Sequence, residues 1–271
     1  MKLAYSVGTP EAKGPLMSFY GDFEKNVADI KAIGYEALEL FVRNPKEMDV
    51  DGVRGVIERS GLAVAAVGTN PAMLEEGLTL LGPDPEVRRK AEERVIDMID
   101  FAAAYKAPVC IGKYRGQLWK GREEEAWKEL EGAFGRICAH ADAKGVSVMV
   151  EPQTRNNINN LNTAAEAVRW IDSLGFANLG ILYDTFHGQL DEISVAAGIL
   201  AAGGKIGFVH LSDCNRLPPG TGNIDFADAL AALRAVGFDG YLSMEVAQKP
   251  DSRVAAEVSF RTIEYILRHR L

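Results

Sequence analysis

The chain has 271 residues, 47% of them hydrophobic, enough for one large α/β core or two small ones. Its formal charge of −8 argues against a nucleic-acid partner, which usually meets a broad basic face. Three cysteines without a CxxC unit argue for reduced thiols rather than a disulfide scaffold, and no stretch approaches the roughly 18 uninterrupted apolar residues of a membrane-spanning helix.

The opening run, MKLAYSVGTP, lacks the long apolar core and small-residue cleavage site of a signal peptide, so a cytoplasmic location is expected. Strand-like and helix-like segments then alternate. KLAYSV (2–7) reads as the first strand, followed by FEKNVADIKAIG (23–34), where Phe23, Val27, Ile30 and Ile33 form one stripe stopped by Gly34. EALELF (36–41) precedes a helix over 50–60, and LAVAAVG (62–68) precedes a long charged helix over 86–105 opened by Pro85. APVCIG (107–112) leads to a helix over 123–144. VSVMVE (146–151) leads to one over 163–174, with Thr163 or Asn162 as N-cap and Gly175 just past its end. NLGILYD (178–184), KIGFVHL (205–211) and YLSMEV (241–246) precede helices over 189–202, 226–236 and 251–269. The strands are short and often apolar throughout, as parallel strands buried on both faces should be.

Eight strands alternating with eight helices predict a single (β/α)8 TIM barrel, with residues 1–271 as one domain. A doubly wound open sheet is the alternative, and the eighth repeat argues against it. Four polar residues end the apolar runs of the last four strands: Glu151, Asp184, His210 and Glu245. Unpartnered buried carboxylates are costly. Functional groups of such barrels come from the C-terminal ends of the strands, so four consecutive strands can aim these side chains at one point. Three carboxylates and one imidazole form a hard, oxygen-rich donor set. It suits Mn2+, with Mg2+, Co2+ and Zn2+ as the other candidates, better than a Cys/His-rich structural zinc site would.

The loops beyond the strands hold further candidates. Lys113 and Arg115 follow the fourth strand, Arg43 the second, Arg155 the fifth and Arg216 the seventh. Basic groups there would meet a phosphate or carboxylate on a substrate, although loops are commonly charged in any case. Glu39 could reach substrate from inside the barrel or pair with Arg43 or Arg115. Asp213 is a candidate to orient His210 or a nearby arginine. Trp119 could cover a sugar face or simply pack.

The segments VEPQTR (150–155), YDTFH (183–187), HLSDCNRLPPGTG (210–222) and SMEV (243–246) resemble the xylose isomerase-like barrels of sugar and sugar-phosphate isomerases and epimerases. They are most similar to the ketose 3-epimerases of the tagatose/psicose type. The resemblance implies that Glu151, Asp184, His210 and Glu245 hold a divalent metal. It implies that Glu151 and Glu245 also form the acid/base pair that moves a proton at the carbon beside a ketone, and that His187 and Arg216 contact sugar hydroxyls. Where those epimerases carry a second Glu that meets the substrate terminus, this chain carries Asn157. The expected partner is therefore a small sugar or sugar phosphate, with neither nucleic acid nor membrane; a homo-oligomer is compatible with this reading. A keto-inositol dehydratase-type lyase and a hydroxypyruvate isomerase-like enzyme would use related chemistry. An endonuclease-IV-like trinuclear zinc hydrolase would need more histidines than the four present, none of which precedes residue 140.

Overall fold

In the computed structural model, which describes residues 1–14 and 17–271, eight parallel strands close into a barrel in chain order. They are β1 (Lys2–Gly8), β2 (Ala37–Phe41), β3 (Ala63–Gly68), β4 (Val109–Ile111), β5 (Val148–Val150), β6 (Leu179–Asp184), β7 (Ile206–Leu211) and β8 (Tyr241–Met244). Closure is made by β1 against β8, with Leu3 opposite Leu242 and Tyr5 opposite Met244. The helices are α1 (Phe23–Ile33), α2 (Val50–Ser60), α3 (Asn70–Glu76), α4 (Pro85–Ala103), α5 (Glu123–Ala143), α6 (Ala164–Leu174), α7 (Thr185–Asp191), α8 (Val195–Ala202), α9 (Phe226–Ala235) and α10 (Ser252–His269).

Most boundaries follow the local signals. Thr163 caps α6 in a reciprocal capping box with Glu166, and Gly175 ends that helix in the left-handed region. The expected helix over 189–202 is instead two. Asp184 caps α7 by accepting from the Phe186 amide at 2.8 Å, and Ser194 starts α8 afresh by accepting from the Ala197 amide at 3.1 Å. Helix α3 was not foreseen, because seven residues give too little periodicity to read. Strands β4 and β5 pair over only three residues each. Gly112 leaves the extended conformation immediately after β4 (ψ −120°), and a Cβ there would collide with the side chains of Glu151 and Gln153. The end of β4 thus makes room for the end of β5.

The core has two shells. The larger lies between strands and helices. The smaller fills the barrel, where Ala4, Ala37, Ala65, Ala66 and Cys110 face the bulkier Met149, Leu182 and Phe208. Two residues further along their strands, on the same inward face, stand Glu39, Glu151, Asp184 and His210. An apolar floor therefore carries a polar layer directly above it.

Candidate metal centre and substrate pocket

Four strand ends supply the polar layer. Asp184 on β6 pairs in register with His210 on β7, which in turn pairs with Ser243 on β8. Glu151 and Glu245 follow immediately after β5 and β8. One ligating atom from each of Glu151, Asp184, His210 and Glu245 lies within 4.8 Å of all the others, and all four residues are buried. His210 Nδ1 is 3.3 Å from Glu245 Oε2, 3.6 Å from Glu151 Oε1 and 4.0 Å from Asp184 Oδ2.

The donor set fits a small divalent cation. Glu151 Oε1 and His210 Nδ1 are buried without a hydrogen-bond partner among the described residues, and both belong to this cluster. Orphaned buried acceptors of this kind call for a partner. The remaining oxygens are positioned by neighbours. Gln153 donates to Glu151 Oε2, Asn70 Nδ2 donates to Glu245 Oε1 at 3.3 Å, and Arg216 Nη1 donates to Asp184 Oδ2 at 2.5 Å. Arg216 Nη2 also donates to Glu245 Oε2.

The charges shape one another. Burial opposes ionisation of Glu245, but Arg216 and His210 outweigh it and hold the carboxyl well below the usual carboxylate range. Burial likewise disfavours the His210 imidazolium, yet without a cation Glu39 and Glu245 lift His210 well above its ordinary value; a cation on Nδ1 would displace that proton. Arg216 is held in the left-handed region at φ 61°, an uncommon conformation for a side-chain-bearing residue. Its amide donates to Asp213 O, its carbonyl accepts from Ala247, and its guanidinium lies 4.8 Å from the centre of the Phe186 ring. The loop fixes this arginine against the acidic cluster.

A cavity of about 370 Å3 opens beside Glu245 and Arg216. Met17, Met73, Leu74 and Phe186 form its apolar wall; Asn70, Lys113, Gln153, Asn157 and His187 supply polar groups. His187 Nε2 is 4.0 Å from Glu151 Oε1 and 3.9 Å from Asp184 Oδ2. The cavity thus gathers His187, Arg216, Asn157 and Lys113. A larger hollow of about 640 Å3 lies outside the barrel between α4 and α5, where Arg88, Arg89 and Arg136 are all paired with glutamates.

Several expectations need correction. Arg115 is not a substrate contact: it is fully buried and donates to the carbonyls of Gly112, Glu151, Asn160 and Leu161 and to Asn160 Oδ1. Its five donors satisfy loop carbonyls that water cannot reach. Arg43 pairs with Glu47, Glu75 and Glu76, and Arg155 with Asp191, which removes both from the pocket. Asp213 does not orient His210; it accepts from the amides of Cys214, Gly220 and Ile224 and shapes its own loop. Trp119 packs, donating to Leu81 O and lying against Arg88 and Arg122. The residue that meets His210 is Glu39, across the barrel, and its inward position on β2 was the signal for it. Gln153 and Asn70 went unnoticed, since isolated neutral amides carry no distinguishing pattern.

Comparisons with known proteins agree with this architecture. Residues 27–263 match the family model for the xylose isomerase-like TIM barrel. An L-ribulose 3-epimerase of Mesorhizobium japonicum is 30% identical over 235 residues, 84% of this chain and 76% of that protein. A 3-dehydro-D-guloside 4-epimerase of Escherichia coli is 32% identical over 242 residues, 82% of this chain and 88% of that protein. The crystal structure of D-allulose 3-epimerase from Methylomonas sp. in complex with D-allulose superposes with a TM-score of 0.80 at 24% identity, covering 97% of this chain and 96% of that one. At that identity the likeness speaks for the fold.

Proposed function

This chain belongs to the xylose isomerase-like TIM-barrel family, and we propose that it is a divalent-metal-dependent sugar epimerase of the ketose 3-epimerase type. The observation that carries this reading is the pair of glutamates, Glu151 and Glu245, in one buried cluster that borders a sugar-sized cavity. Relatives named as ketose and L-ribulose 3-epimerases support it.

Glu151, Asp184, His210 and Glu245 would hold the cation, with Mn2+ the ion we favour for this oxygen-rich set. When bound, it supplies Lewis-acid polarisation of the ketone, which acidifies the neighbouring C–H. The protein does the rest. One glutamate accepts the proton from that carbon, leaving a planar enediolate. The other gives a proton to the opposite face, and the centre is inverted. Arg216 keeps Glu245 ionised, the state a proton acceptor requires. His187 and Arg216 orient the sugar hydroxyls, and Asn157 and Lys113 contact the substrate further from the reacting carbon. Lys113 lines the cavity, where its ammonium would meet a phosphate or other anionic substituent. We take residues 1–271 as one domain. Three free thiols, two of them buried, fit a reducing cytoplasmic setting.

A second reading is 4-epimerisation of a 3-dehydro sugar glycoside. It is favoured by the 32% identity to the Escherichia coli enzyme and by Asn157, which lacks the charge expected in a 3-epimerase at that position. Both readings use the same proton transfer. Incubating a panel of ketoses, ketose phosphates and 3-keto glycosides with Mn2+-loaded protein in D2O separates them by the carbon that takes up deuterium. Glu245→Gln is expected to lose turnover by roughly 10^3-fold or more while its circular dichroism stays unchanged. Turnover of that variant at the wild-type rate, or no exchange with any member of the panel, would sink the proposal.

A further inference from the structure

Glu39 is a fully buried carboxylate on an otherwise apolar strand, and its only ion-pair partner among the described residues is His210. A carboxylate so placed is costly unless its oxygens are engaged. Both oxygens face His210 Nε2, at 2.9 and 3.0 Å, and Oε2 also accepts from Ser243 Oγ at 2.7 Å. An ionised carboxylate can only accept, so Nε2 carries the proton. The other ring nitrogen, Nδ1, then faces Glu151, Asp184 and Glu245 and has no hydrogen-bond partner among the described residues. Glu39 is not a fifth member of that cluster, because the imidazole stands between its carboxylate and the other three.

We propose that Glu39 is a positioning residue of the metal centre: its contact with Nε2 fixes the tautomer and ring orientation of His210 that present Nδ1 to the ligand cluster. Ser243, the register partner of His210 on β8, orients Glu39 in turn. This inference rests on the metal reading of Glu151, Asp184, His210 and Glu245. A carboxylate behind a ligating histidine also raises the basicity of the nitrogen that binds, so its loss should weaken the metal and not merely loosen the fold.

The test is calorimetric titration of Mn2+ into metal-free wild-type, Glu39→Leu and Glu39→Gln protein, together with 1H–15N NMR of the Zn2+-loaded forms. Glu39→Leu should bind Mn2+ roughly 10- to 100-fold more weakly, and Glu39→Gln, which retains an acceptor, should recover most of that loss. Wild-type protein should show one downfield, slowly exchanging ring N–H on His210, lost in Glu39→Leu and kept in Glu39→Gln. If Glu39→Leu does not fold, Ser243→Ala serves in its place, with faster exchange of the same N–H as the expected result. Wild-type affinity and an unchanged N–H in these variants would overturn the role of Glu39 alone. Failure of wild-type protein to bind Mn2+ would overturn the metal reading and this inference with it.

Discussion

Arg115 and Glu39 show how a single charged residue can be read for the wrong partner. Both lie where a barrel mouth or lumen should be, and both are completely buried. Residue type and strand position were legible; the partner was not, because it comes from a loop or strand far along the chain. Arg115 meets residues 160 and 161, and Glu39 meets His210. Burial pushes the Arg115 guanidinium down to about 10, with Glu151 opposing that shift, so it remains charged at neutral pH. Replacing it by Met would strand several carbonyls and Asn160 without donors. Arg115→Met is therefore expected to cost about 3 kcal/mol of stability, seen as a lower denaturation midpoint. The Mn2+ affinity of whatever folded fraction remains should change little. A midpoint equal to the wild type would show that the buried network is dispensable.

At the scale of elements, strand ends and the loops that follow them set the site. The helix caps at Thr163, Gly175 and Gly34 could be read from sequence because capping is local chemistry. The loop between β7 and α9 could not, since its geometry depends on one side chain serving several amides. Burial works against the Asp213 carboxylate, but the amides of Cys214, Gly222, Ile224 and Gly220 outweigh it and hold the group below its usual range. An unfolded Asp titrates near 3.9. The stabilisation from Asp213 is thus fully present above about pH 5 and lost as pH falls through the lower folded value. Asp213→Asn should be less stable at about pH 7, and its loss of stability on acidification should be shallower than the wild type's. Parallel acid profiles of the two proteins, followed by denaturant unfolding, would contradict this account. The same loop places Arg216, so the variant should also bind sugar more weakly.

For the whole molecule, closure of the barrel turns four separate strand ends into one centre. Alternation puts the small and apolar residues one layer below and the acids and imidazole above them, away from bulk water. Such a concentration of buried carboxylates should be relieved by a cation. Chelator-treated protein is expected to lose turnover, to regain it with one equivalent of Mn2+ per chain, and to melt at a higher temperature when loaded. Free metal at about 100 times its dissociation constant would contribute roughly 2.7 kcal/mol through linkage. Three bound zinc ions per chain, or a melting temperature indifferent to metal, would speak against the single-ion centre.

The sequence by itself determined the alternation of strands and helices, the closure into eight repeats, the four convergent residues and the family. All of these rest on periodicity, on capping residues, or on polar groups ending apolar runs, which are local or regularly spaced signals. Tertiary structure alone decided which of five basic residues face the cavity, that Arg115 is enclosed, that Asp213 serves its own loop, and that Glu39 stands behind His210. Those outcomes depend on which distant charges and carbonyls come within hydrogen-bonding reach once the barrel closes. The free energy of a buried polar group is set by those partners and not by its neighbours in the chain.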